Sequence, residues 1–316
     1  MARYTKVSSI GARPVLSDID IDYSQTVEKV ISYWKRELDQ VLPDKPDIIV
    51  LPEGCDRPLN YPKLEKEKTE YYKNRGNQML EFFSNIALNN NCYLAYSAIR
   101  EAGDGTLRNS TQIIDRTGKV VGIYNKNYVV IEETTESGIL YGKDAPIIYC
   151  DFGRVACAIC FDLNFDELRL KYVKAKPDII LFSSMYHGGL MQNYWAYSCR
   201  SYFTGCVAGL QNTIISPVGE VIASSTNYHD FVTAMVNLDY CVVHLDYNWE
   251  KLKRIKAKYG PKVKLTDPGY LGSVMLSSET DEFTISDITK EFEIELLDDY
   301  MRRALAHNNN KMNVEP

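Results

Sequence analysis

The chain has 316 residues, 45% of them hydrophobic and 25% charged, a balance that suits a globular protein with a sizeable core. A formal charge of -6, with no dense basic run beyond Lys251 to Lys258, argues against electrostatic nucleic-acid binding. The N-terminal MARYTKVSSIGARPVL lacks an apolar signal core, and no stretch approaches the roughly 20 apolar residues of a membrane span, so a soluble, cytoplasmic protein is expected.

Residues 24 to 41 place Val27, Val30, Ile31, Trp34, Leu38 and Val41 at three- and four-residue steps, which predicts an amphipathic helix. PDIIVLPE, residues 46 to 53, follows as a short continuous apolar strand, the pattern of a strand buried on both faces. A second helix is predicted over 70 to 90 and a strand over Cys92 to Ile99. NSTQIIDRTGKVVGIYNK then has two β-rich arms around a turn at Asp115 to Gly118.

In RVACAICFDLNFDELR, residues 154 to 169, a strand pattern stops at Cys160 and a helix-compatible acidic segment begins. PDIILFSS at 177 to 184 nearly repeats PDIIVLPE, so two helix-strand units 131 residues apart suggest internal pseudo-symmetry. Helix 190 to 204, strand 206 to 211, a hairpin in TIISPVGEVIASS turning at Ser216 to Gly219, and a charged helix around 290 to 306 complete the order. No Pro/Gly/Ser-rich linker divides the chain, which predicts one domain with a core of about 5 to 240 and a C-terminal extension over 241 to 316.

The eight cysteines are scattered through strand-like segments, so reduced thiols are expected. His187, His229, His244 and His307 show no HxH or HExxH spacing, and no metal site is expected. Three apolar strands end in residues that carry chemistry: Glu53, Lys126 and Cys160. Side chains at strand C-termini of an α/β sheet converge on one edge, which would bring together a base, a cation and a nucleophile. A cysteine on a strand-to-helix turn lies near free backbone N–H groups that favour a thiolate and, later, an oxyanion.

PEG at Glu53, YNKNY at Lys126 and CFDLNFDELR from Cys160 resemble, in order and spacing, the three signature segments of the nitrilase superfamily of carbon-nitrogen hydrolases. RNSTQIIDRTGKVVGIYNK and TIISPVGEVIA are similar to further blocks of that family, and the resemblance covers roughly residues 5 to 240. It implies a four-layer αββα sandwich, subunits paired as a homodimer or larger homo-oligomer through helices flanking the cysteine, and no metal or organic cofactor. By position it also implies Glu53 as general base and acid, Lys126 as the cation facing the oxyanion, and Cys160 as nucleophile. Glu136 would be a second carboxylate near the lysine, with Glu132 and Glu133 as neighbours in sequence.

The expected reaction is attack of Cys160 on a small amide carbonyl, the oxyanion being held by Lys126 and the N–H of Phe161 while Glu53 passes its proton to the departing nitrogen. Tyr186, in the aromatic segment 183 to 203, is a candidate substrate contact. Asp162 after CF is similar to the amidase and carbamoyl-amide branches rather than the nitrile-cleaving one. Enzymes that clamp a substrate carboxylate with an arginine soon after the cysteine differ here, because Leu163 and Asn164 stand there and the first arginine is Arg169. Two alternatives predict other behaviour: Cys157 and Cys160 as a redox or zinc CxxC would present both thiols, and a non-catalytic scaffold need not retain all three groups. Cys55 has only a packing role.

Overall fold

The computed structural model of the protein describes residues 1–16, 22–60, 65–313 and 315, which fall into two compact units, 6–235 and 1–5 with 236–316. The larger unit runs β1 (Tyr4–Ile10), α1 (Tyr23–Leu38), β2 (Ile48–Glu53), α2 (Glu65–Arg75), α3 (Gln78–Asn90), β3 (Tyr93–Glu101), β4 (Leu107–Ile114), β5 (Val120–Asn125) and a short α4 (Ile131–Thr135). It continues with β6 (Ile148–Tyr149), β7 (Arg154–Ile159), α5 (Asp166–Ala175), β8 (Ile179–Ser184), α6 (Leu190–Cys199), β9 (Tyr202–Val207), β10 (Thr213–Ile215), β11 (Val221–Ser224) and β12 (Phe231–Asn237).

These strands form two six-stranded sheets, in the orders β12-β1-β2-β3-β4-β5 and β6-β7-β8-β9-β10-β11. In each, three neighbouring parallel strands are followed by antiparallel partners: β1, β2 and β3 correspond to β7, β8 and β9, and β4 and β5 to β10 and β11. The near-repeat in the sequence is thus the central strand of each half, β2 and β8, with Glu53 and Ser184 at equivalent ends.

Both strands are buried along their whole length, as their unbroken apolar runs require. Where the sheets face each other, small side chains allow close approach: Ser183 Oγ donates to the Leu51 carbonyl at 2.8 Å and Ser9 Oγ to that of Gly205 at 3.1 Å. Val30, Trp34, Leu38, Met79, Phe83 and Ala87 of α1 and α3 pack against Ile49, Leu51, Leu94 and Tyr96 of the first sheet. On the second, Tyr172 of α5 donates to the Cys157 carbonyl at 2.6 Å, and Trp195 of α6 to the Leu163 carbonyl at 3.1 Å. The result is the layer order α, β, β, α.

Several boundaries differ from the sequence pattern. The helix expected over 70 to 90 is two helices, because Gly76 adopts φ +47° and its N–H closes on the Tyr72 carbonyl at 3.0 Å. The helix expected over 190 to 204 stops at Cys199, since Arg200 turns left-handed (φ 55°), and the next strand starts at Tyr202 rather than 206. Both elements had correct type and wrong ends.

The smaller unit holds β13 (Tyr240–His244), α7 (Trp249–Tyr259), β14 (Val263–Thr266), β15 (Ser273–Ser278), α8 (Ile285–Glu291) and α9 (Leu297–Asn308), around a β13-β15-β14 sheet with Val243, Ile255, Leu276 and Ile288 in its core. The charged segment read as one helix is therefore α8 and α9. The basic run 251 to 258 lies on α7, which buries Leu252 and Ile255 and exposes Lys253, Arg254, Lys256 and Lys258. Among the described residues, no helix is long and apolar enough to cross a membrane.

Candidate active site

Glu53 ends β2, Lys126 follows β5 directly, and Cys160 follows β7. The sandwich brings them together. Lys126 Nζ lies 3.1 Å from Glu53 Oε1, and the Cys160 sulfur is within hydrogen-bonding reach of the side chains of Glu53 and Ser184. The acidic helix expected immediately after Cys160 is preceded by a 3₁₀ turn over Cys160–Asn164. Cys160 itself sits at φ 48°, a left-handed conformation that costs a non-glycine residue energy and is held by its surroundings.

Asp162 supplies that hold. Fully buried, its Oδ2 accepts from Ile159 N (2.9 Å) and Tyr124 Oη (2.7 Å), and its Oδ1 from Tyr128 N (2.8 Å). One carboxylate therefore ties the end of β7 to β5 and to the segment after Lys126. Burial pushes its carboxyl up to about 6, although all three donors pull the other way. A folded value above the unfolded one means the folded state binds the proton more tightly, so this contribution to stability falls as pH rises from 3.8 to about 6. Asp162→Asn is expected to remove that slope, to cost about 1 to 3 kcal/mol by facing an NH₂ toward donors, and to lower turnover. Urea denaturation of both proteins between pH 4 and 7 checks it; an unchanged slope would show that Asp162 does not titrate in this way.

Burial pushes the Cys160 thiol up to about 12; the charge of Glu53 adds to this, and Lys126 opposes it. The resting residue is a thiol, contrary to the expectation that the elbow alone favours a thiolate. Lys126 is the reverse case. Burial would lower its ammonium, but the charges of Glu53 and Glu133 outweigh it and hold the group well above its usual range.

The second carboxylate at the lysine is Glu133, not Glu136. Glu133 Oε2 accepts from Lys126 Nζ at 2.7 Å and from Val130 N at 2.8 Å, which fixes it at the start of α4. Glu136 follows that helix at its other end and is exposed. The cue in the sequence was the offset of three from Val130, where a glutamate reaches back to the N-cap amide. Asn109, passed over in the sequence, is buried and donates Nδ2 to Glu53 Oε1 (2.8 Å) and to Glu133 Oε1 (3.1 Å), so it spaces the two carboxylates around the lysine. Its backbone carbonyl accepts from Lys126 N at 2.8 Å.

Gly142 packs on the same strand end, its N–H donating to the Lys126 carbonyl at 2.7 Å. A Cβ there would lie 2.4 Å from the Asn125 carbonyl oxygen. Gly142→Ala is expected to destabilise the protein by about 1 to 3 kcal/mol and to displace Lys126. Thermal melting checks this, and an unchanged Tm would mean the loop yields freely.

Phe161 occupies the first turn of the 3₁₀ segment, where backbone N–H groups have no intrahelical acceptor. Its side chain is partly exposed and lies edge-on to Phe165, which stacks on Tyr128 at 3.9 Å. Tyr186 is half-buried beyond β8, with its hydroxyl 3.1 Å from Asn164 Nδ2. Cys157 is fully buried in β7, and Cys55 is buried with its sulfur 3.7 Å from the Ser97 carbonyl, so neither thiol is presented beside Cys160. Among the described residues there is no group of three or more His, Cys, Asp or Glu that could hold a metal.

A family model described as "Carbon-nitrogen hydrolase" matches residues 6–242. The chain belongs to the carbon-nitrogen hydrolase family. This hydrolase is 25% identical over 212 residues to "Hydrolase in agr operon" of Staphylococcus lugdunensis, covering 61% of this chain and 88% of that one. It is 24% identical over 217 residues to an omega-amidase of Xenopus tropicalis, covering 61% and 77%. Its fold is similar to the NitFhit protein of C. elegans (TM-score 0.64, 17% identity), covering 82% of this chain but only 64% of that one. It is also similar to Nit3 of Saccharomyces cerevisiae (TM-score 0.58, 16% identity; 82% and 95%), a member of the nitrilase superfamily. The αββα arrangement of this hydrolase is that of its superfamily.

Proposed function

We propose that this carbon-nitrogen hydrolase is a cysteine-dependent amidase that releases ammonia from a small amide or carbamoyl-amide. The observation behind it is a thiol held in a left-handed elbow within reach of Glu53, whose carboxylate is shared with a buried lysine. Because the resting thiol is protonated, Glu53 accepts its proton as sulfur attacks the carbonyl carbon. The carbonyl oxygen, now negative, is held by the Lys126 ammonium and the Phe161 N–H. Glu53 returns the proton to nitrogen, the C–N bond breaks, and ammonia leaves a thioester on Cys160. Water then gives a proton to Glu53 and its oxygen to the acyl carbon; the C–S bond breaks, the acid departs and the thiol is restored. Glu133 and Asn109 keep Lys126 and Glu53 in register and touch no reacting atom.

Relatives that bear the names omega-amidase and deaminated glutathione amidase support an amide over a nitrile. A cytoplasmic setting belongs to the same proposal and suits eight cysteines of which none is bonded to another. So does pairing of subunits, supported by exposed Leu170, Leu190 and Tyr194 on α5 and α6; light scattering after size exclusion that gives an active monomer would remove it. The test of the activity is ammonia release from short aliphatic amides, ω-amides, N-carbamoyl amino acids and nitriles, with Cys160→Ala beside wild type. Release from an amide class that vanishes in Cys160→Ala is expected. Release that survives Cys160→Ala would sink the proposal.

A further inference from the structure

The elbow turn and the segment after β8 meet in a pair of uncharged groups whose hydrogen-bonding capacity is half used. Asn164 Nδ2 spends both its hydrogens, on the Phe161 carbonyl (3.1 Å) and on Tyr186 Oη (3.1 Å). That leaves Asn164 Oδ1 as an acceptor and the Tyr186 O–H as a donor, side by side. Asn164 is exposed and Tyr186 half-buried, so both can meet an incoming molecule.

Their position relative to the thiol is fixed. Ser184 Oγ, within reach of the Cys160 sulfur, accepts from Tyr186 N at 3.0 Å and donates to the Tyr186 carbonyl at 2.6 Å. The Tyr186 ring stands edge-on to Phe182. Gly188, at φ +72°, lets the same segment press on the turn: a Cβ there would lie 2.5 Å from Leu163 Cδ2 and 3.7 Å from Tyr186 Oη. Burial raises the Tyr186 hydroxyl above its ordinary value, against the pull of the Asn164 hydrogen bond, so it stays a neutral donor.

The charged groups linked to this pair are one lysine and three carboxylates. The cation acting on both the Cys160 thiol and the Tyr186 hydroxyl is Lys126, already bonded to Glu53 and Glu133, and Asp162 lies close behind the turn. An acyl group ending in a carboxylate would bring a further negative charge to this place and set its oxygens against Asn164 Oδ1. A terminal amide or hydroxyl both donates and accepts, and satisfies the two free positions together.

We propose that Asn164 and Tyr186 form the acyl-recognition site of this enzyme and select uncharged amides bearing a polar group at the far end of a short chain, against their carboxylate counterparts. The proposal rests on the thiol amidase chemistry above. Its test compares kcat/KM for two pairs of equal length, succinamide against succinamate and glutaramide against glutaramate, in wild type, Asn164→Arg, Tyr186→Phe and Cys160→Ala. In wild type the neutral member of each pair should be favoured by about tenfold or more, the scale of one unfavourable charge contact. Asn164→Arg, at an exposed position, should narrow or invert that ratio, and Tyr186→Phe should lower kcat/KM on the diamides mainly through KM. A wild type that handles the carboxylates as well as the diamides, or a ratio unmoved by Asn164→Arg, would overturn the selectivity while leaving the thiol chemistry intact. No release from any of the four would overturn the selectivity alone, and release that survives Cys160→Ala would overturn both.

Discussion

Replacement of Glu53 by glutamine should abolish turnover and, at the same time, make Cys160 more reactive toward iodoacetamide at pH 8. The two effects separate because one carboxylate does two opposed things. As the base of the proposed reaction it would take the thiol proton during attack, a contribution of about 10² to 10⁴ in rate. As a fixed negative charge it disfavours the thiolate, adding to the burial that holds the thiol near 12, with Lys126 opposing. Glutamine cannot accept the proton, so the reaction stops. It also carries no charge, so the thiol pKa falls, and each unit of fall raises the thiolate fraction about tenfold at pH 8. Alkylation rate against pH, read by mass spectrometry at Cys160, should therefore move to lower pH in Glu53→Gln. Slower alkylation than wild type would mean that Glu53 maintains a resting thiolate, and the order of proton transfer argued above would have to be reversed.

Lys126→Gln should be damaged in two ways that a second substitution can separate. Loss of one oxyanion donor costs about 10² to 10³ in kcat. Loss of its charge leaves Glu53 and Glu133 joined only through Asn109, with no cation between them. Removing one partner from a buried ionic group typically costs about 3 to 5 kcal/mol. The melting temperature of Lys126→Gln should accordingly fall at pH 7. Adding Glu133→Gln should restore much of the stability at pH 7 and none of the turnover, a non-additivity that a double-mutant cycle measures. If Lys126→Gln melts like wild type, the lysine does not balance the two carboxylates.

The elements were legible wherever a short, strong pattern met a local signal. β2 and β8 follow from unbroken apolar runs, and the β4–β5 turn from Asp115, whose Oδ1 accepts from Thr117 N and Lys119 N at 2.8 and 3.0 Å, with Gly118 at φ +78°. Element ends were less legible, because a left-handed residue such as Arg200 stops a helix without a compositional mark. Of the site, Glu53 and Lys126 stood out because each ends an apolar strand with a charged residue that burial ordinarily excludes, and Cys160 because a strand pattern stops there and an acidic segment begins. Asn109 and Ser184 did not, since an Asn or a Ser in a strand gives no sign of the carboxylate or thiol it will meet.

The sequence by itself determined the family resemblance, which implied the layer order, and the residue types at three strand ends, because these depend on motifs a few residues long and on their order. The tertiary structure alone decided which carboxylate meets Lys126, that the thiol rests protonated, and that Asn164 and Tyr186 pair beside it. Those outcomes depend on distances between segments far apart in the chain, such as the 3.1 Å from Lys126 to Glu53 across 73 positions, and on the burial that makes each charge count.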